Sequence, residues 1–139
     1  LSPNFAQGHY TLAFVQAQDG DPVAAIHAAD RARLLSPFDP LLFGMLGARA
    51  IALLRLGRIA EAADEATKAA ARPNAHAHIH AIAAFSLALA GGLEQARAHA
   101  ATARSTLPGY SLAHFLKAFR LDADGERRFA EGARRIGMG

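Results

Sequence analysis

Apolar residues, many of them alanine, recur at helical spacing along the chain, and prolines and glycines divide this pattern into similar segments. Four prolines are spaced by 34, 36 and 35 residues: Pro3, Pro37, Pro73 and Pro108. A glycine stands near the middle of each interval: Gly20, Gly57 and Gly91. Because glycine tolerates positive φ at a helix C-terminus and proline stops a helix, each interval predicts a helix, a turn and a second helix.

The pattern predicts an all-α chain without strands, since β-branched residues are few. The first helices of three hairpins are expected at about residues 4 to 18, 39 to 56 and 75 to 90. The second helices are expected at about 22 to 35, 59 to 72 and 93 to 107. Asp39, with Pro40 after it, and Asn74 are suited to start the second and third hairpins as N-caps.

Alanine occupies the same three positions in every second helix. The set is Ala25, Ala29 and Ala32, then Ala62, Ala66 and Ala69, then Ala96, Ala100 and Ala103. Spacings of four and three residues put each trio on one face of its helix. Small side chains on that face allow close packing between helices, so the sequence predicts that the hairpins stack.

The pattern changes after Pro108. A helix is expected from Tyr110 or Ser111 to about Arg120, a break at residues 122 to 125, and a last helix to about Ile136. Phe115, Phe119, Phe129 and Ile136 give this segment an apolar side. A stack of hairpins needs its last apolar face covered, so residues 110 to 136 are predicted to form a capping hairpin.

Length and composition exclude several classes of protein for this chain. A chain of 139 residues fits one domain, and its apolar stretches are interrupted too early for a membrane span. It lacks cysteine, which excludes disulfides and thiolate chemistry and fits a cytoplasmic location. The first residue is Leu1 rather than Met, and we expect a fragment of a longer protein.

The net charge of +3 raises the question of nucleic-acid binding. Basic residues are scattered except near the end, where Arg127, Arg128, Arg134 and Arg135 alternate with Glu126 and Glu131. Such alternation is typical of a solvated helix face with ion pairs. RNA binding is therefore the weakest of the binding functions considered, and no nucleic-acid partner is expected.

The repeat resembles the tetratricopeptide repeat (TPR), a helix-turn-helix unit of about 34 residues. The resemblance covers residues 4 to 108, as repeats 4 to 37, 38 to 73 and 74 to 108, followed by a cap at 109 to 139. Small residues in the first helices (Ala13, Gly47 or Ala50, Ala84), the alanines above and the prolines carry it. His9 and Gln16 stand where the family has aromatic residues, which marks a divergent array. The resemblance implies a right-handed α-solenoid of three hairpins plus the capping hairpin.

The first helices of TPR arrays line a concave groove, and the resemblance implies which residues face it. The groove residues expected here are Tyr10, Phe14, Ile51, Leu54, Arg55, His78, Phe85 and Leu89. Tyr10 and Phe14 stand where chaperone-binding arrays have the lysine and asparagine of a carboxylate clamp. We therefore expect an apolar or amphipathic segment in the groove. The alternative for Phe14 and Phe85 is that they pack between hairpins.

Catalytic and metal sites are not expected. His76 and His80 lie four residues apart, at zinc-compatible helical spacing, but their neighbours supply no further ligand and no HExxH motif. The pairs Asp19 with Asp21 and Asp122 with Asp124 flank predicted turns, where caps are common. Neither a phosphate loop nor a cofactor motif is present, so the sequence predicts a chain that is not an enzyme and has no cofactor.

The leading function at this stage is a protein-protein interaction module. The linkers around Pro37 and Pro108 resemble the C-terminal repeat regions of bacterial multidomain signalling proteins with cyclase or winged-helix domains. This resemblance implies regulation of an attached domain by a protein or peptide partner. The alternative is a structural or oligomerisation scaffold whose groove binds its own chain, including upstream domains, or a second copy.

Overall fold

The computed structural model describes Ala17 and residues 20–35, 42–73 and 75–139, with residues 42 and 43 as backbone only. These ranges contain seven helices and no strand, which confirms the all-α prediction for this part of the chain. The helices are α1 (Pro22–Leu35), α2 (Leu42–Arg55), α3 (Ile59–Ala70), α4 (Ala77–Leu89), α5 (Leu93–Thr106), α6 (Leu112–Ala118) and α7 (Ala123–Arg135). None of these helices has the length and apolar composition that a bilayer crossing requires.

The predicted helix limits agree closely with the structure between α3 and α5. Both turn glycines have positive φ, +81° at Gly57 and +92° at Gly91. At the first turn, the amides of Gly57 and Arg58 donate to the carbonyls of Leu54 and Leu53, over 3.0 and 2.9 Å. The second turn repeats this bonding, so both hairpins close with the glycine-dependent cap that the repeat predicts.

Some predictions of helix starts fall outside the described residues. Asp39, Pro40 and Asn74 are among these, as is the first predicted helix except for Ala17. The helix after Asn74 begins at Ala77, two residues later than predicted, and His76 at its N-cap makes no side-chain capping bond.

The alanine faces of α1, α3 and α5 are buried, as predicted; no residue of the three trios exceeds 5% exposure. Each helix from α1 to α4 contacts the next one along the chain, and α2 also contacts α4. At that last contact, a Cβ on Gly47 would lie 2.9 Å from Cδ1 of Ile79. Small residues therefore do permit the close packing of helices that the sequence indicated.

A charged network joins the first three helices. Arg49 of α2 donates from Nε to Asp30 of α1 and from Nη1 to Glu65 of α3, both over 3.2 Å. The guanidinium is only 22% exposed, so these carboxylates compensate a charge that is largely removed from water. The network connects α1 and α3 through the Arg49 side chain of α2.

The buried aromatic side chains of the described residues lie in α4 and in the C-terminal segment. Phe115 of α6 lies between Phe85 of α4 and Phe129 of α7, with ring centroids 5.1 and 4.9 Å away. All three are fully buried, and Phe119 stands 4.8 Å from Phe115. This aromatic cluster fixes α6 and α7 against α4.

The C-terminal segment forms two helices, as predicted, but α7 begins at Ala123, inside the break predicted at residues 122 to 125, because Asp122 caps its start. Helix α6 ends at Ala118, Phe119 to Asp122 are non-helical, and α7 follows. Helix α7 contacts both α2 and α4, which are the first helices of the second and third hairpins. That α7 caps a stack of hairpins stays a prediction. That α7 packs on both α2 and α4 is a structural finding.

Candidate functional site

The surface of α2 and α4 that lies under α7 is the candidate site. We call it the inner face and define it by Arg55, Phe85, Ala88 and Leu89. Each of these residues contacts or lies beside α7, and three of them are groove residues predicted from the sequence. The inner face therefore already holds an amphipathic helix, supplied by the chain itself.

Helix α7 approaches the backbone of α4 closely at Gly132. A Cβ placed on Gly132 would lie 2.5 Å from the backbone oxygen of Phe85 and 3.1 Å from its Cα. These are backbone atoms of a packed helix, which cannot move aside as the end of a flexible side chain can. Only glycine fits at this crossing, and Phe129 fills the space one turn earlier.

Arg55 connects the inner face to the start of α7. Its Nη2 donates to Oδ2 of Asp122 over 2.7 Å, and its Nη1 donates to the carbonyl of Ala17 over 2.9 Å. The Arg55 side chain is 7% exposed, so these partners help to compensate a charge that is largely removed from water. Asp122 also accepts a 2.7 Å bond from the amide of Gly125 and thereby caps α7.

Two opposed effects act on the pKa of Asp122. Burial acts to raise it, and the hydrogen bonds from Arg55 and the Gly125 amide, with the charge of Arg55, lower it further than burial raises it. The net pKa lies below the ordinary value for aspartate. The carboxylate is consequently ionised at neutral pH and pairs with Arg55 as an ion.

The other end of α7 meets the end of α4. Arg135 donates from Nη1 towards the carbonyls of Ala88 and Leu89, both at 3.4 Å. These carbonyls belong to the last turn of α4, where a helix carries partial negative charge. Helix α7 thus runs from the end of α2 to the end of α4, acidic at its start and basic at its finish.

The predicted groove residues have different environments in the structure. Ile51, Leu54 and Phe85 are fully buried, and Phe85 packs in the aromatic cluster, which was the alternative left open for it. Leu89 is partly exposed, and Tyr10 and Phe14 lie outside the described residues. Binding of a foreign segment at these positions stays a prediction.

His78 contacts the C-terminal segment at the other end of α4. Its Nδ1 lies 2.7 Å from the hydroxyl of Tyr110, and its ring meets Phe119 edge-on at 5.8 Å. Tyr110 is fully buried and stacks on His114, with ring centroids 5.6 Å apart. Burial lowers the pKa of His78 and raises that of Tyr110, so both are neutral in this contact at neutral pH.

His80 pairs with a residue that the sequence did not single out. Its Nδ1 lies 3.2 Å from Nδ1 of His99 on α5. Burial lowers the pKa of both imidazoles, and the charge on His80 lowers that of His99 further. At this distance the protonated nitrogen of one ring donates a hydrogen bond to the other ring, and the tautomers decide which of the two is the donor. In the described ranges, no three histidine, aspartate or glutamate side chains come together as metal ligands.

The acidic residues at the turns act as caps where they are described. Asp21 accepts a 2.9 Å bond from the amide of Val23 at the start of α1, and Asp122 caps α7. Asp124 pairs with Arg127 one turn away in the same helix. These observations confirm the structural roles predicted for Asp21 and Asp122; Asp19 lies outside the described residues.

Sequence reasoning missed Gly132 and the pairing of Asp122 with Arg55. One signal for Gly132 was present, because glycine inside a helix costs about 1 kcal/mol relative to alanine and often has a packing reason. Asp122 and Arg55 are 67 residues apart, and no local pattern connects them.

A scan against protein-family models, a search of curated proteins and a search of solved structures each found no match to this chain.

Proposed function

We propose that this chain is a non-catalytic protein-interaction module whose inner face holds an amphipathic helix. In this proposal the hairpins form a right-handed solenoid of the TPR kind in the cytoplasm. The glycine turns at Gly57 and Gly91 and the buried alanine faces support that architecture. The module regulates a signalling or transcription domain attached to it.

One observation carries the proposal: α7 packs on α2 and α4 against residues that the resemblance to TPR arrays assigns to a groove. Its contacts are those of a bound helix, with a buried aromatic side chain at Phe129, a close crossing at Gly132 and an ion pair at Asp122. Its outward side is strongly charged, as the pairs of Arg127 with Asp124 and Arg134 with Glu131 indicate. The inner face therefore suits a helix that is apolar on one side only.

A resident helix also provides a means of regulation. A segment tethered to its own site acts at an effective concentration of about millimolar, so an outside helix binds only when it competes with α7. A partner that displaces α7 would change the position of the C-terminal end of the chain. Such displacement couples partner binding to an attached domain.

The same observation also favours the alternative function, a scaffold in which the inner face holds a helix of its own chain. The two functions differ in whether α7 leaves. Hydrogen exchange of the α7 amides separates the two functions. An interaction module releases α7 when it binds a partner, so the α7 amides exchange faster, whereas a scaffold keeps α7 in place and its amides protected.

A helix-display selection against the full chain carrying Gly132→Val tests the proposed function. Valine at this position clashes with the backbone of Phe85 and should release α7, whereas Ala130→Val, on the partly exposed side of α7, should not. We expect helical peptides that bind the Gly132→Val chain at least about tenfold more tightly than the Ala130→Val chain.

Binding at the inner face should also depend on Leu89. This side chain is only partly buried, so Leu89→Glu should leave the fold intact while it places a charge on the inner face. The proposed function fails if no peptide is selected, or if the selected peptides bind the chain with and without Leu89→Glu equally.

A further inference from the structure

A second surface of the chain combines two arginines with small and apolar side chains. It is an open groove of about 530 Å³ between α5 and the C-terminal end of α7. This volume is within the range in which protein clefts hold ligands. We call it the outer groove and define it by the described residues that line it: Arg97, Ala100, Ala101, Arg104, Ser105 and Ile136. It shares no residue with the inner face, and none of these lining residues is acidic.

The wall that α5 contributes is one stripe of that helix. Its residues follow one another at spacings of three, one, three and one positions, which places them on the same side. Arg97 and Arg104 stand two turns apart, so their Cα atoms are separated by about 10.5 Å along the helix axis. Ala100 and Ala101 lie between them, and such small side chains allow another helix to approach α5 closely.

Both guanidinium groups have hydrogen-bond donors available for a ligand. Arg97 is exposed and makes no hydrogen bond or ion pair within the described ranges. Arg104 is also exposed and uses its Nε, which donates to the carbonyl of Tyr110 over 3.2 Å. Its two Nη groups make no bond in the part of the chain that the structure describes. Each arginine can therefore donate charge-assisted hydrogen bonds to a carboxylate.

The surroundings of the outer groove leave its positive charge in excess. On α5, Glu94 stands one turn before Arg97 and lies outside the lining of the groove. On α7, Glu131 pairs with both Arg134 and Arg135, so two cations already compensate this acid. Charge complementarity therefore favours an acidic ligand.

The shape of the outer groove favours a helix as the carrier of the acids. Ile136 is partly buried, packs against the apolar core and gives the groove an apolar wall opposite α5. A groove with one apolar wall suits an amphipathic helix. A helix that packs along α5 has the same rise per residue, so acids seven positions apart match the separation of Arg97 and Arg104.

We infer that the outer groove binds a helix of another protein that carries two acidic residues seven positions apart and a large apolar residue between them. The acids pair with Arg97 and Arg104, and the apolar side chain lies over the alanines against Ile136. This site is additional to the inner face. It exists in the chain with α7 in place, so it does not depend on the proposed displacement of α7.

A fluorescent helical peptide is the probe for this site. It consists of about 18 residues of alanine and glutamine, long enough to form a helix, with two glutamates seven positions apart and a leucine four positions after the first. Titration into the full chain, read by anisotropy, should show saturable binding. Replacement of both glutamates by glutamine should weaken binding by about tenfold. A shift of one glutamate by two positions turns it away from α5 and should weaken binding by about fivefold.

The leucine of the probe should contribute as well. Its replacement by serine should weaken binding by about threefold, because part of its apolar surface is buried in the groove. Equal binding of the original peptide and the peptides with altered glutamates would overturn the inference. Absence of binding at about 1 mM would also overturn it.

Arg97→Glu tests the same pairing from the side of the groove. Because Arg97 is exposed, this change should leave the fold intact, and we expect it to weaken peptide binding by at least about tenfold. Arg33→Glu, at an exposed position of α1, alters the net charge equally and is the matched control. It should change binding by less than about twofold. Equal losses in the two variants would show attraction by net charge alone and would overturn the inference.

An exchange of charges identifies a direct pair. Two further peptides, in which the first or the second glutamate is replaced by lysine, are titrated into the Arg97→Glu chain. One of them should bind within about threefold of the original complex, because its lysine pairs with the carboxylate introduced at Arg97. Recovery with neither peptide, or with both equally, would overturn the inference.

Two other occupants of the outer groove give different results. A single-stranded RNA of about ten uridines that binds more tightly than the peptide, and is lost with Arg97→Glu, would make the groove a phosphate-binding surface. A dimer in light scattering that Arg97→Glu dissolves would assign the groove to a second copy. Either result would overturn the inference, whereas a monomer that binds the peptide supports it. None of these measurements uses Gly132→Val or Leu89→Glu, so the proposed function stands or fails separately.

Discussion

Gly132 of α7 crosses the backbone of Phe85 in α4 so closely that an added Cβ would lie 2.5 Å from the Phe85 oxygen. Elsewhere in a helix, exchange of glycine for alanine adds about 1 kcal/mol of stability through helix propensity. At Gly132 the steric conflict opposes that gain. The position thus gives a direct stability test of the contact between α7 and the inner face.

We expect Gly132→Ala to lower the free energy of unfolding by about 1 to 3 kcal/mol, in spite of the better helix propensity of alanine. Urea denaturation measures the change. Ala130→Gly in the same helix is the control, and it should cost about 1 kcal/mol through propensity alone. A stabilised Gly132→Ala chain would contradict the packing of α7 on α4.

The ion pair of Arg55 with Asp122 should contribute more to stability than the exposed pair of Arg127 with Asp124. We expect Asp122→Asn to cost about 1 to 2 kcal/mol, because it removes the negative charge from an ion pair with the largely buried Arg55 side chain while the capping amide oxygen remains. Asp124→Asn should change the free energy of unfolding by less than about 0.5 kcal/mol, since both side chains of its pair with Arg127 are mostly exposed. Equal losses in urea denaturation would refute the distinction.

Acidification should weaken the contact between α4 and α5. Burial lowers the pKa of His80 and His99 in the folded chain from the ordinary histidine value of 6.5. Between those lowered pKa values and 6.5, the unfolded chain binds more protons, so the free energy of unfolding falls as the pH falls through this window. This contribution is fully present above pH 6.5.

The measurement for the histidine pair is urea denaturation between pH 7.5 and pH 5. The double variant His80→Gln with His99→Gln should show a shallower decline than the unaltered chain, because it removes two groups that take up protons on unfolding. An equally steep decline in both chains would assign the pH dependence to other groups.

The stability cost of replacing Gly91 should depend only on how readily the new residue adopts the backbone conformation of this turn. Its φ is +92°, and nothing lies within 4 Å of an added Cβ, so strain rather than a clash determines the outcome. We expect Gly91→Val to cost about 1 to 2 kcal/mol and Gly91→Asn to cost less, because asparagine enters the left-handed region more readily. Thermal melts of the two variants provide the comparison, and a larger loss for Gly91→Asn would exclude the strain explanation.

The sequence by itself determined the local elements of this protein. Glycine at Gly57 and Gly91, proline shortly after α3 and α5, and alanine at fixed spacing act within one helix or one turn. Short-range sterics and backbone preferences govern such features, and their pattern in the chain is therefore enough to predict them. The resemblance to TPR arrays assigned Phe85 and Leu89 to the side of α4 that faces a groove, and that assignment stays a prediction.

The tertiary structure decided what covers that side. Asp122 meets Arg55 across 67 residues, and Gly132 meets Phe85 across a helix contact whose register depends on the path of the whole C-terminal segment. His80 finds His99 in the same way, across two packed helices. Contacts between distant parts of the chain form only when all the helices have packed, so the periodicity that predicted each helix carried no information about which of them would lie on the inner face.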